Sequence, residues 1–226
     1  MGIDELVAEA SGVAGIGGRR VLGIAGPPGT GKSTLALALA ARLGASAAYV
    51  PLDGFHLSNQ QLALLGLTER KGSEPSFDVW GYVSLLRRVK GESGHTPTGD
   101  GAGTGSGRPA HPVYVPDYDR ALHEPVAARH VVPPAARLVI TEGNYLACDL
   151  PGWREARALI DLCWYLDSPS ALRQERLVER QLAGGRELTE AHRRVVTNDE
   201  PNARLVEESR TRCDRILSTV GMDMFN

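Results

Sequence analysis

Residues 26–34 read Gly26-Pro27-Pro28-Gly29-Thr30-Gly31-Lys32-Ser33-Thr34. This is the spacing G-x-x-x-x-G-K-[ST], a loop that closes around phosphate. Each residue type has a task. Glycines let successive backbone N–H groups turn inward around an anion. A helix starting at the loop adds the positive end of its dipole. Lys32 reaches the β- and γ-phosphates, and the Ser33 hydroxyl is a ligand for Mg²⁺. Gly26, Gly29, Thr30, Gly31, Lys32, Ser33 and Thr34 are therefore the expected nucleotide-binding set, with ATP and Mg²⁺ as cofactors. The flanks agree. Val21-Leu22-Gly23-Ile24-Ala25 reads as a strand entering the loop, and the Ala/Leu-rich run Leu35–Leu43 as the helix leaving it.

Such a loop needs acids nearby. The apolar strand Leu138-Val139-Ile140-Thr141 ends in Glu142-Gly143-Asn144. A carboxylate at that point sits at the carboxyl edge of the sheet, where open α/β sheets bind ligands. Glu142 is the expected Mg²⁺-shell acid, beside Ser33. A second carboxylate, Asp53, follows Tyr49-Val50-Pro51-Leu52 in the same way. One acid can organise the metal while the other accepts a proton from an attacking hydroxyl. Asp53-Gly54 is also a turn-forming pair.

The elements that must position these groups alternate strand and helix, which implies an α/β domain with a parallel sheet covered on both faces. Strands are expected at Ser46–Leu52, Arg137–Thr141, Asp161–Leu166 and Arg215–Val220. Helices are expected at about Ser58–Leu65, Asp78–Lys90 and Ser170–Ala183. Another should start near Asp199, with Pro201 in its first turn. Trp80 and Tyr82 are expected on the core side of the Asp78 helix. Between 91 and 108, seven of eighteen residues are glycine. That segment reads as a flexible insertion, because it cannot bury enough apolar surface to order itself.

At 226 residues the chain is expected to form one domain that buries about 70% of its unfolded surface. Its net charge of −2 leaves no footprint for nucleic acid or an anionic membrane. No apolar run is long enough to span a bilayer. Met1–Arg20 lacks the basic start and apolar core of a secretory signal. Cys148, Cys163 and Cys213 have no C-x-x-C spacing, so reduced thiols in a cytoplasmic protein are expected. His56, His111 and His123 lack zinc-ligand spacing. A homodimer is compatible with all of this.

Four further segments carry a family resemblance. Asp53-Gly54-Phe55-His56 resembles the Asp-x-Phe motif of the uridine kinase, phosphoribulokinase and type I pantothenate kinase superfamily of P-loop kinases. Arg70-Lys71-Gly72 through Ser76-Phe77-Asp78 resembles the Lys-Gly…Glu-Ser-Tyr-Asp segment of pantothenate kinases and the Pro-x-Ala-Phe-Asp segment of uridine kinases. Tyr118-Asp119 with His123 resembles the uridine kinase Tyr-Asp-Phe-x-x-His segment, and Glu142-Gly143 resembles the family's Glu-Gly. The likeness runs over about residues 20–220.

The resemblance implies a P-loop NTPase fold with a five-stranded parallel sheet in the order 2-3-1-4-5, and a helical lid over 170–198. It implies Asp53 as catalytic base, Asp78 as holder of substrate hydroxyls with Phe77 beside it, and Tyr118 and His123 as the acceptor wall. Arg176, Arg180 and Arg186 match the lid arginines that neutralise the transferring phosphoryl group. The i,i+4 spacing of Arg176 and Arg180 puts both on one helix face, where Glu175 and Glu179 also make an ordinary solvated face. Asn198–Asn202, beyond the lid, fits either an adenine border or a helix cap.

The sequence also departs from the pattern. Pro125 stands where uridine kinases carry an arginine, and Arg120 replaces the phenylalanine after Tyr-Asp. The base-recognition wall is incomplete. Ser73-Glu74-Pro75 reorders the pantothenate kinase Pro-Glu-Ser. The chain looks closest to a broad bacterial group of nucleoside and sugar kinases. The expected reaction is transfer of the ATP γ-phosphate to a hydroxyl of a small metabolite, most simply a nucleoside or sugar. A pantothenate-type acceptor, an NTP hydrolase or switch, and a non-catalytic nucleotide-binding scaffold are the rivals.

Overall fold

The structure is a computed structural model that describes residues 2–15, 17–91 and 111–221. The Gly-rich segment read at 91–108 lies outside the described residues, apart from Gly91.

In chain order the elements are α1 (Ile3–Gly15), β1 (Arg20–Ala25), α2 (Lys32–Leu43), β2 (Ala47–Pro51), α3 (Asn59–Leu64) and α4 (Val79–Gly91). Next come β3 (Val113–Asp119), β4 (Glu124–Val132), β5 (Leu138–Gly143), α5 (Trp153–Arg157), β6 (Leu162–Asp167) and α6 (Ser170–Ala183). Then follow α7 (Leu188–Arg194), a π-helical stretch (Val195–Asp199), α8 (Glu200–Glu207) and β7 (Arg215–Ser218). Five strands form one sheet in the order β2-β5-β1-β6-β7, and every pairing in it is parallel. Numbered along the chain among themselves, these strands run 2-3-1-4-5, as the resemblance implies.

The near-continuous apolar strands follow from burial on both faces. Alternation divides each strand between two cores. Val21, Val139, Cys163 and Tyr165 face the side covered by α4 and α5. Leu22, Ile24, Ile140, Trp164 and Leu166 face the side covered by α1 and α2. Helix α1, absent from the sequence reading, buries Ile3, Leu6, Ala10 and Ala14 along one stripe. On α4 the buried stripe is Tyr82, Val83, Leu86 and Val89. Trp80 does not pack with Tyr82 as expected. Two helical positions separate them by about 200°, and Trp80 stays 54% exposed. The helix expected near Asp199 is the end of a longer run from Leu188. Its π turn sits just ahead of Pro201, which has no N–H to offer a regular helix. No helix among the described residues is long and apolar enough to cross a membrane.

Strands β3 and β4 form a separate antiparallel hairpin, irregular between Val115 and Asp117. It docks on the turn after β2. A Cβ at Gly54 would lie 2.2 Å from the Pro116 carbonyl oxygen and 2.4 Å from its carbon. The obstacle is backbone, not a side chain that can swing aside. Gly54→Ala must therefore push the hairpin away from Asp53. We expect a loss of about 2–4 kcal/mol of stability, read by denaturant unfolding, with acceptor turnover falling more than ATP affinity. An unchanged midpoint and unchanged turnover would mean that this close approach does not position the hairpin.

Candidate active site

The phosphate loop leaves β1 at its carboxyl end. Gly29 (φ 80°) and Gly31 (φ 91°) take left-handed conformations that other residues avoid. Gly29 also lies under α6, because a Cβ there would come within 2.7 Å of the Arg173 carbonyl oxygen. Thr30 Oγ1 donates to the Pro27 carbonyl at 3.0 Å. Lys32 Nζ donates to the same carbonyl at 2.8 Å. The Lys32 side chain is buried, and burial brings its pKa down to about 8 against the opposing pull of Glu142 and Asp53. Arg180 and Arg173 push the same way as burial. A desolvated ammonium over a ring of loop amides fits a polyphosphate, which offers oxygens to both.

Glu142 is where the sheet register puts it. It pairs with Ile24 of β1 and Pro51 of β2, at the edge from which the loop and Asp53 both emerge. It is 4% exposed. Burial and the neighbouring Asp53 charge raise its pKa, while Lys32 and hydrogen bonds from Tyr49 and Ser33 oppose the rise. Tyr49 Oη donates to Glu142 Oε1 at 2.9 Å. Tyr49, not singled out in the sequence, alternates with buried Ala48 and Val50 and so reaches Glu142 from the neighbouring strand. A hydroxyl and a carboxylate in contact are hard oxygen donors. They suit Mg²⁺, which takes one or two protein carboxylates and completes its shell with phosphate and water.

Asp53 lies in a short 3₁₀ turn, Leu52–Phe55, just past β2. Its carboxylate is about one-third exposed and sits 3.5 Å from Arg120 Nη2. The turn is stitched to the segment that bears Phe77 and Asp78. Leu57 N–H donates to the Ser76 carbonyl and Asp78 N–H to the Phe55 carbonyl, both at 2.8 Å. The His56 ring is thereby held between Phe77, 4.1 Å away, and Tyr118, 4.9 Å away, centroid to centroid. Burial lowers the His56 pKa, so its imidazole is neutral at pH 7. Sequence reasoning weighed His56 only as a metal ligand. Its place in the Asp53-Gly54-Phe55-His56 run was the available signal.

The other acceptor-side residues divide. Tyr118 faces this aromatic cluster from β3. Asp78 Oδ1 accepts the Gly81 backbone N–H at 2.8 Å and so caps α4, with its side chain exposed. His123 sits in the hairpin turn with φ 54° and an exposed ring. Its carbonyl is the group in use, accepting from Lys71 Nζ at 2.6 Å and Asn59 Nδ2 at 3.2 Å.

Helix α6 carries Arg176 and Arg180 toward the loop. Arg176 Nη1 reaches the Gly29 carbonyl at 3.4 Å. The Arg180 charge is felt at both Lys32 and Asp199. Arg186 bonds Gln181 within the same segment. Arg173, which the sequence did not flag, is buried and ion-paired to Glu207 at 2.6 Å. Neither Asn198 nor Asn202 caps a helix end. Their amides donate to the Lys71 carbonyl at 3.1 Å and the Gly72 carbonyl at 3.3 Å. Arg194 joins them on the Lys71 carbonyl at 2.8 Å, and Tyr145 on that of Gly72 at 2.8 Å. The helical segment 194–202 thus grips the loop at Lys71 and Gly72.

Comparison with known proteins fits this geometry. The family model of ATPases associated with various cellular activities (AAA) matches residues 22–75, which include the phosphate loop and Asp53. A Schizosaccharomyces pombe protein provisionally named uridine kinase C227.14 is 32% identical over 210 residues, 88% of this chain and 83% of its own. YggC of Escherichia coli is 35% identical over 196 residues, 83% of this chain and 73% of its own. The crystal structure of a Silicibacter sp. TM1040 protein, provisionally described as a fructose transport system kinase, superposes with a TM-score of 0.78. It is 36% identical and covers 94% of this chain and 98% of its own. The likeness extends far beyond the phosphate loop, over most of the chain, which belongs to the uridine kinase-like P-loop kinases.

Proposed function

We propose that this ATP-dependent kinase phosphorylates a hydroxyl of a nucleoside or a sugar, with Asp53 as the base. The observation that carries the reading is the position of Asp53 between two groups. Its charge acts on Lys32 on one side and on His56 and Tyr118 on the other. A hydroxyl presented by the aromatic wall would meet the carboxylate and the γ-phosphate together.

Asp53 accepts the hydroxyl proton as the acceptor oxygen attacks. Lys32 and the loop N–H groups hold the phosphate oxygens as charge shifts toward the leaving group. Ser33 and Glu142 would hold Mg²⁺, which would supply charge neutralisation for the nucleotide's phosphate groups. Arg176 and Arg180 stand on the α6 face toward the loop, from which guanidinium groups reach the transferring phosphoryl, and Arg186 follows at the turn. Positioning and electrostatics supply most of the acceleration in such a site. A hydrolase reading draws on the match of residues 22–75 to an ATPase family. It leaves the wall of His56, Phe77 and Tyr118 without a purpose. A pantothenate-type acceptor uses the same base.

Asp53→Asn should lower acceptor-dependent ADP release about 10³-fold while ATP binding, followed by calorimetry, persists. Lys32→Ala should weaken both. Full activity in either variant contradicts the assignment. Tyr49→Phe leaves a buried carboxylate oxygen short of a donor, so the Mg²⁺ concentration for half-maximal rate should rise about tenfold. A Mg²⁺ titration that superposes on the wild type would remove Tyr49 from the metal's surroundings.

A further inference from the structure

The acceptor wall carries more positive charge than a neutral sugar or nucleoside needs. Lys71 Nζ lies 5.0 Å from the centroid of the Tyr118 ring. Its hydrogen-bond acceptors are neutral, the Asn59 amide oxygen and the His123 carbonyl. Glu124, the carboxylate whose field Lys71 feels, accepts the Asn59 backbone N–H at 3.0 and 3.1 Å. Arg120 projects from the hairpin turn to within 3.5 Å of Asp53, with its side chain 59% exposed. Arg194, half-buried, spends its guanidinium on the Lys71 carbonyl. Tyr118 feels Arg120 and Arg194 as well as Asp53 and Glu124. Lys71 therefore lies against the Tyr118 ring, with Arg120 and Arg194 close enough for their charges to act on it. The carboxylates there already have work, Asp53 as base and Glu124 as a backbone acceptor.

Resting on the kinase reading above, we infer that the acceptor carries an anionic oxygen group, a carboxylate or a phosphate ester, bound by Arg120 and Lys71 beside Tyr118 while its hydroxyl faces Asp53. A guanidinium forms paired hydrogen bonds to either group. An anion on the acceptor competes with Asp53 for Arg120, whose contact with that carboxylate is a single one of 3.5 Å, so a charged acceptor binds better than its neutral counterpart.

The test uses acceptor pairs that keep every hydroxyl and differ in charge: gluconate against gluconamide, and ribose 5-phosphate against its dimethyl ester. In each pair the charged member should have the higher kcat/KM for ADP release. The gluconate and phosphate arms show which anion is read. Arg120→Gln and Lys71→Gln should each lower the charged-to-neutral ratio about tenfold to a hundredfold, and Arg120→Lys should restore part of it. Neutral members that match or exceed their partners, or ratios unmoved in both glutamine variants, overturn the inference while leaving the kinase reading in place. Should no compound stimulate ADP release, the kinase reading bears the failure. Calorimetry of the same pairs on the full chain with a non-hydrolysable ATP analogue then decides the inference. Preferential binding of the charged members, lost in Arg120→Gln, upholds it, and equal or absent binding overturns it.

Discussion

Lys32 and Glu142 bring opposite charges out of water at the end of one parallel sheet, and much of the site answers to that burial. Desolvation alone would neutralise both groups. Lys32 is opposed in this by Glu142 and Asp53, and Glu142 by Lys32, Tyr49 and Ser33. The set is balanced only in part, since the Lys32 pKa still falls to about 8. A buried cation facing loop amides is most stable with an anion beside it, and a buried carboxylate facing a hydroxyl is most stable with a cation beside it. A nucleotide with a bound Mg²⁺ would supply both.

Parallel pairing brings these two groups together. β1 delivers Lys32 and β5 delivers Glu142, and their register aligns Ile24 with Glu142. β2, on the far side of β5, ends two residues before Asp53. The segments around Asp53, Asp78 and Tyr118 are built differently, from turns held by backbone contacts. Gly54 admits the hairpin, residues 55–57 pair with 76–78, and the 194–202 helical segment grips the carbonyls of Lys71 and Gly72. That last contact ties the 194–202 helical segment to the loop that precedes Phe77 and Asp78.

How legible each part was follows from the same division. The sheet strands, buried on both faces, carry apolar runs that a sequence reveals, and so do the acids at their ends. The hairpin does not. It contains Pro116 and Pro125, exposes much of its length, and follows a long glycine-rich segment, so alternation is weak there. Helix α1 had a readable stripe at Ile3, Leu6, Ala10 and Ala14, masked by small residues. The chemistry of His123 was legible only as a side chain, whereas its carbonyl does the bonding, and backbone roles leave no mark on residue type. Asn198 and Asn202 sit four residues apart and donate to adjacent carbonyls. What they touch depends on a loop about 130 positions away, beyond the reach of local pattern.

The destination of the γ-phosphate tests the account most directly. Protein incubated with γ-labelled ATP, Mg²⁺ and a mixture of hydroxylated metabolites should move the label into an organic phosphate ester, separable from inorganic phosphate by chromatography. Label recovered only as inorganic phosphate, at a rate unaffected by any acceptor, would contradict phosphoryl transfer through Asp53 and leave water as the acceptor.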